Sequence, residues 1–397
     1  MRPRILAVAL LLIPLATHAQ EIESLAGVRL TFENAGARAL AMGSTGKANP
    51  ADIAGAKRSF ALESRRRTIE GRYFSDASLN TTGIDSTTNG VSSASLIVPM
   101  PHTTWAFFYE EPMNVEHSTA SAFNKSSQAS VFFLCNARLS ATPCGPAVYF
   151  PTPVTYPLDT SLRLQRYGVT TAWSRGPLAI GASVRYERFH QKSAFVFSNL
   201  VVAAPAGVDE TTNDSDTTYS AGATWKLSKN ARIGASYASG GAFAGTRTFA
   251  PDFVRPIEFR TPSTLRGNVA IDVLPQLTLA ADVVRVAYSE MVHSRRDLFP
   301  QGAELGYEDA TELHAGAEYR IGNVAMRTGW WRDPAHALTS LNGLDAPPPF
   351  TIAAGIINEA ENHVTAGIGF GGKTRFDAAI DRGSRSTNVV MGVTTTF

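Results

Sequence analysis

Cysteine is almost missing from this chain: 397 residues hold two, Cys135 and Cys144. That excludes a disulfide-dense scaffold and a cysteine-rich zinc module. Net charge is nearly absent as well, because 36 basic residues stand against 34 acidic ones, so bulk charge selects neither nucleic acid nor an acidic partner. After the N-terminal segment no eighteen consecutive apolar residues occur, which excludes membrane-spanning helices. Catalytic signatures are missing too. There is no His-Glu-x-x-His and no Gly-x-Ser-x-Gly, since Gly234-Ala-Ser236-Tyr-Ala238 lacks the last glycine. Gly43-Ser-Thr-Gly-Lys47 has the wrong glycine spacing for a phosphate loop, and Ala48 stands where a magnesium-binding hydroxyl belongs. No enzyme, metal or cofactor is expected.

What is abundant suits strands: 32 Gly, 21 Phe and 11 Tyr among many Thr and Ala. The chain starts with a basic pair, Arg2 and Arg4, an apolar core over 5–16 broken by Pro14, and small residues through Ala19. Residues 1–19 therefore read as an export signal. Export places Cys135 and Cys144 in an oxidising compartment, where their spacing favours a disulfide over a catalytic thiol. Residues 20–57 are small, polar and rich in Gly and Ala, without strand alternation, and compact enough to fold inside something larger.

From residue 58 onward the period changes to two. Fourteen strands are expected, at 58–74, 91–98, 102–111, 162–173, 178–189, 218–227, 231–238, 264–273, 277–288, 311–321, 324–332, 364–370, 375–381 and 388–397. In 264–273, Leu265, Val269, Ile271 and Val273 face one way and Arg266, Asn268 and Asp272 the other. The last strand sets Val389, Met391, Val393, Thr395 and Phe397 on one face, with Val390 as an apolar exception on the other. A soluble sandwich also alternates. Strands near ten residues, with short turns alternating with long connections, fit a transmembrane antiparallel β-barrel of about fourteen strands better. Its charged face must line the lumen, because Arg or Lys at the bilayer midplane costs about 2–4 kcal/mol. Arg285 shares parity with Leu279 and Val283, and needs either a bulge or a place at the interface. Phe397 marks a final strand that pairs with the first, and the barrel-assembly machinery is the partner expected to read it.

Several stretches resemble the FadL-type family of outer-membrane long-chain fatty-acid and hydrocarbon transport proteins. They are Phe259-Arg-Thr-Pro-Ser-Thr-Leu-Arg266 with the hairpin to Ser289, and Asp309-Ala-Thr-Glu-Leu-His-Ala-Gly-Ala-Glu-Tyr-Arg320 with Arg327-Thr-Gly-Trp330. Asn34-Ala-Gly-Ala-Arg-Ala-Leu-Ala-Met-Gly43 and Asn49-Pro50-Ala51 resemble the family's plug, or hatch, although the stretch between Gly43 and Asn49 is shorter than the family's. The resemblance implies a fourteen-stranded barrel over 58–397 with residues 20–57 as a hatch in its lumen. It further implies passive uptake of an apolar ligand into a Gram-negative outer membrane, with sideways release through a gap in the wall.

Asn49, Pro50 and Ala51 are then candidate gate residues, or an ordinary Asn-Pro turn. Arg266, Arg320 and Arg327 either attract a ligand carboxylate or pair with Asp272, Glu312 or Glu318 on neighbouring strands. His314 beside Glu312 is either a base with its orienting group or a structural lumen pair. The region 112–160, with Phe and Val between its prolines, is a candidate capture surface. The expected partners are a hydrophobic small molecule and outer-membrane lipid, with no nucleic acid, and the protein is expected to be a monomer. Three alternatives use the same strands: a nonspecific porin, which needs an open lumen, an assembly scaffold, and a barrel lipase.

Overall fold

The computed structural model describes residues 32, 35–46, 49–74, 81–118, 129–130, 149–150, 158–197, 206–249, 253–291, 305–336, 338–340 and 360–397. The export signal, most of the 112–160 region and both cysteines lie outside these residues.

The wall is built from β1 (Ser59–Phe74), β2 (Thr81–Pro99), β3 (Thr103–Ser118), β4 (Leu158–Arg175), β5 (Leu178–Phe197), β6 (Ala206–Lys226), β7 (Ala231–Ala238), β8 (Ala242–Phe249), β9 (Phe253–Arg260), β10 (Thr264–Leu274), β11 (Leu277–Val286), β12 (Ala310–Ile321), β13 (Val324–Asp333), β14 (Glu361–Gly371), β15 (Thr374–Arg382) and β16 (Ser386–Thr396). Consecutive strands pair antiparallel except β7 with β8 and β9 with β10, and β16 returns to β1 from Thr396 opposite Ser59 to Ser386 opposite Ile69. β7 and β8 are two halves of one crossing, as are β9 and β10, so the sixteen segments make fourteen crossings of a closed barrel. Closure leaves each of the fourteen crossings paired on both sides over at least part of its length, which is what hydrocarbon demands of a backbone.

The alternation read from the sequence is the alternation of the wall. Leu265, Ile271, Val273, Leu279 and Val283 lie exposed on the outside, while Arg266 and Asp282 are buried inside. Trp105, Phe107, Val169, Ile180, Val184 and Met391 extend the apolar outer band around the barrel. Turns such as Gly176-Pro177 and Gly322-Asn323 cluster at the end that holds Ser59 and Thr396, and the long connections lie at the other. Short turns face the periplasm in such barrels, so the long-connection end is the outer one. Arg285 sits at that end and pairs with Asp309 at 3.2 Å, while the β10–β11 register runs unbroken past it. Its charge is therefore at the interface, and no bulge is involved.

Strands exceed their expected lengths where they rise above the apolar band. β2 extends to Thr81 and β6 to Ala206, through Ser, Thr, Asn and Asp on both faces. Such stretches carry no hydrophobic period, so sequence alternation ends where the membrane ends. The hairpin of β8 and β9 was hidden for the same reason, and the sequence reads as a connection there.

Two interruptions shape the wall. The β2–β3 ladder stops at Ser93 opposite Glu110, yet β2 continues beside β1 and β3 beside β4. Above that point side chains bridge the seam: Ser86 Oγ donates to the Glu116 carbonyl and Thr88 Oγ1 to that of Asn114. The second interruption parts β7 from β8 and β9 from β10 at one level. There Asp216 and Asp214 accept from the backbone N–H of Ala242 (2.8 Å) and Ala244 (2.7 Å), in place of strand carbonyls.

Candidate functional site

The lumen is occupied by the segment before β1. It contains one helical turn, α1 (Ala37–Ala41), and one 3-10 turn at Pro50–Ile53, joined by tight turns in which Gly43, Ser44 and Gly46 take positive φ. Two seats in the wall hold it, and both are made of glycine.

The first seat receives Ala41, Met42 and Gly43. Gly316 and Gly329 stand directly opposite each other on β12 and β13, with Gly367 on β14. A Cβ at Gly316 would collide with the Met42 carbonyl, and one at Gly329 with the Gly43 amide. Bare backbone is the only surface that lets the hatch chain lie this close. Polar groups then fix it. Thr365 Oγ1 donates to the Ala41 carbonyl (3.0 Å) and accepts from the Gly43 N–H (2.9 Å). His314 Nδ1 donates to the Gly43 carbonyl at 2.8 Å, and its Nε2 lies 3.0 Å from Glu312. The His314–Glu312 pair thus positions the hatch. Val390, the apolar exception of the last strand, is fully buried with Ala37, Leu40 and Ala41, so its inward direction is explained by the helix it packs against.

The second seat holds the Asn-Pro-Ala turn. Gly181 and Gly222 face each other on β5 and β6. A Cβ at Gly181 would strike Pro50, and one at Gly222 would strike the Asn49 side chain. Asn49 Oδ1 caps the turn by accepting from the Ala51 N–H (3.0 Å), while its Nδ2 donates to the Ala223 carbonyl (3.1 Å). Thr224 donates to Asp52 at 2.9 Å. Enclosure by the wall pushes the Asp52 carboxyl above its ordinary range, although the Thr224 hydrogen bond pulls it down and its tip still touches lumenal solvent.

Between and beyond the seats the hatch is tied by charge. Ala37 N–H donates to Glu63 (2.9 Å), Gly46 N–H to Asp282 (2.9 Å), and Arg166 Nη1 to the Phe32 carbonyl (2.6 Å). Arg266 donates to the same Asp282 oxygen at 2.8 Å, so it orients a hatch acceptor. Glu318, fully buried, collects Arg38 of the hatch together with Arg320 and Arg327 of the wall, and Arg327 continues to Asp377 at 2.7 Å. The three lumen arginines are thus already engaged: Arg266 by Asp282, and Arg320 and Arg327 by Glu318. Asp282 was not among the carboxylates expected for Arg266. It lies directly across from His314 in register, one strand further than a count along β10 reaches.

Above the hatch, toward the outer end, an apolar cluster packs beside a buried polar one in which Glu210 accepts from Gln191 Nε2 (2.8 Å) and Arg247 Nε (2.9 Å). Phe189 stacks on Phe259 at 4.1 Å and meets Phe243 at 5.4 Å, and Phe32 of the hatch reaches Phe259 at 6.3 Å. Met113, Val115, Leu162, Leu164, Val284 and Val286 complete the buried apolar cluster. Beside the hatch lies a cavity of about 310 Å³, lined by Phe32, Asn49, Asp52, Phe108 and Glu110 among others. Glu110 is also the last β3 residue in the β2–β3 ladder, so the cavity ends where that seam begins. Glu111 fills the seam at 3% exposure, accepting from Arg163 Nε (2.7 Å), Asn114 Nδ2 (3.0 Å) and the Tyr109 hydroxyl (3.2 Å).

These features define a transmembrane barrel of the outer-membrane type whose lumen is stoppered by its own N-terminal segment. No family model matches the sequence, and no curated protein matches it. Solved structures do match in fold. A Pseudomonas aeruginosa FadL homologue superposes with a TM-score of 0.64 at 13% identity, covering 93% of this chain and 98% of that one. The toluene transporters TodX of P. putida and TbuX of Ralstonia pickettii give TM-scores of 0.61 and 0.60 at 16% identity, each over 92% of this chain and 99% of theirs. The chain has the fold of these barrels.

Proposed function

We propose that this protein is a passive outer-membrane channel for hydrophobic small molecules, long-chain fatty acids or other hydrocarbon-like compounds, with sideways release through the wall. The observation that carries the reading is the buried apolar cluster of Phe189, Phe243 and Phe259 inside a lumen stoppered by a docked hatch. An aqueous pore has no use for such a cluster, whereas a fatty acid loses little by moving from membrane to apolar side chains and back. The fold shared with a FadL homologue and with toluene transporters supports it. In this reading residues 1–19 direct export, 20–57 form the hatch, and 58–397 form the barrel. Asn49, Pro50 and Ala51 form the gate at the second seat. Arg266, Arg320 and Arg327 serve a ligand carboxylate by exchanging one carboxylate partner for another. Cys135 and Cys144 form a disulfide. The β2–β3 seam is the sideways exit, and Phe397 presents the last strand to the assembly machinery, which inserts a monomer.

The test is uptake into proteoliposomes of a labelled long-chain fatty acid, toluene and a small sugar, with the intact chain and with residues 20–56 deleted. Transfer of an apolar probe with sugar excluded, and sugar leaking only after the deletion, is the expected pattern. Sugar passage through the intact protein would make it a porin, and transfer of nothing would leave a scaffold.

A further inference from the structure

We propose that the outer face of β4 and β5 binds the phosphorylated sugar headgroup of an outer-leaflet glycolipid. The proposal rests on the barrel's orientation in the membrane and not on what the channel carries.

Tyr109, Tyr167 and Tyr186 stand directly opposite one another across β3, β4 and β5. Tyr219 and Tyr237 continue the row on β6 and β7 with rings 6.2 Å apart. All but Tyr109 are strongly exposed, and below them the outer face is Val169, Val184 and Ile180. An aromatic row above an apolar band marks the level of lipid headgroups. Immediately above it on the same face of β5 come Arg188, His190 and Lys192, all exposed, at successive outward positions. The first lies about 7 Å along the strand from Tyr186, within headgroup depth.

The neighbours of this ladder are all hydrogen-bonding groups. On β6, Ser215, Asn213 and Thr211 stand opposite Arg188, His190 and Lys192. On β4 the opposing residues are Gln165, Arg163 and Ser161. Arg188 donates to Asn213 at 3.3 Å, and Arg163 is half-exposed while paired with Glu111. Among the described side chains, the exposed carboxylates Glu116, opposite Ser161, and Asp209, opposite Ala194, stand at the patch's margins. A ladder of cations flanked by amides and hydroxyls suits a ligand with both phosphates and sugar hydroxyls, whose acyl chains lie against the apolar band beneath. A diacyl phospholipid would use the cations and leave the amide and hydroxyl row unengaged.

The full chain is purified in detergent and titrated, by native mass spectrometry, with bisphosphorylated lipid A, its phosphate-free derivative, and phosphatidylglycerol. Bisphosphorylated lipid A is expected to bind one per barrel, with the other two at least tenfold weaker. The double variant Arg188→Gln/Lys192→Gln is expected to lose about thirtyfold, from a factor of about five for each surface cation facing an anionic headgroup. Arg332→Gln/Arg382→Gln, at exposed positions on the opposite wall, is expected to bind as the parent does. Both sites are solvent-exposed, and heat-modifiable gel mobility reports that each variant is a folded barrel. Unchanged binding by the first variant overturns the proposal, as does an equal loss in the second or equal affinity for phosphatidylglycerol. A dimer that disappears in the first variant would assign the patch to a second copy of the chain and overturn it as well.

Discussion

Arg38 of the hatch and Glu318 of the wall meet through two parallel hydrogen bonds of 3.0 Å each. The two partners differ sharply in what they risk. Arg38 is half-exposed, whereas Glu318 is fully buried and also holds Arg327, itself fully buried. Arg38→Met is therefore expected to cost about 1 kcal/mol or less and to loosen only the hatch. Glu318→Gln leaves the buried Arg327 guanidinium with Asp377 as its remaining carboxylate and is expected to cost about 1.5–3 kcal/mol of barrel stability. The temperature of the heat-modifiable gel shift separates them; equal shifts would show that Glu318 serves the hatch alone.

The glycine seats predict a size effect. Gly329→Ala should unseat Met42 and Gly43 while leaving Asn49 docked, and Gly222→Ala should do the reverse, since each added Cβ meets hatch atoms. Cysteine labelling of Ser44 and of Ala51, each introduced singly as Cys, should rise from protected to reactive in the matching variant only. Simultaneous exposure of both would mean the hatch leaves as one piece.

In the apolar cluster, Phe259→Ala removes a ring in contact with Phe189, Phe243 and Phe32. Losing that apolar surface is expected to weaken a bound hydrocarbon by about 1.5–3 kcal/mol, roughly ten- to a hundredfold. Displacement of a fluorescent fatty acid measures it, and an unchanged affinity would place the ligand elsewhere.

Glu111→Ala empties the β2–β3 seam and leaves Arg163 without its carboxylate. Apolar transfer into the bilayer should then quicken severalfold while sugar stays excluded, because the hatch is untouched. Stopped-flow transfer to labelled vesicles decides; slower transfer would make Glu111 part of the path and not its closure.

Asp52 gives the docked hatch a pH dependence. Its carboxyl is raised above its ordinary 3.8 by burial, so its share of docking stability is fully present below that value and is lost as pH rises through the folded one. Protease resistance of the 49–53 turn should fall as pH rises above about 4. Asp52→Asn, which resembles the protonated form, should flatten that part of the profile; an unaltered slope would assign it to another group.

The sequence by itself determined the wall. Period-2 alternation is a local property, and hydrocarbon on one side and polar lumen on the other leave it no freedom, so the fourteen crossings and their inward charges could be counted directly. The hatch's place was legible only through its composition and a family likeness. Tertiary structure decided what register alone can bring together. Gly316, Gly329 and Gly367 are ordinary strand glycines until pairing lines them up under one turn of the hatch. Asp282 becomes the partner of both Arg266 and Gly46 because three chain segments converge on it. Phe189, Phe243 and Phe259 lie up to seventy residues apart and make one apolar cluster. Strand period is set by neighbours one and two residues away, while seats, apolar cluster and seam depend on contacts across the whole lumen, which no local pattern encodes.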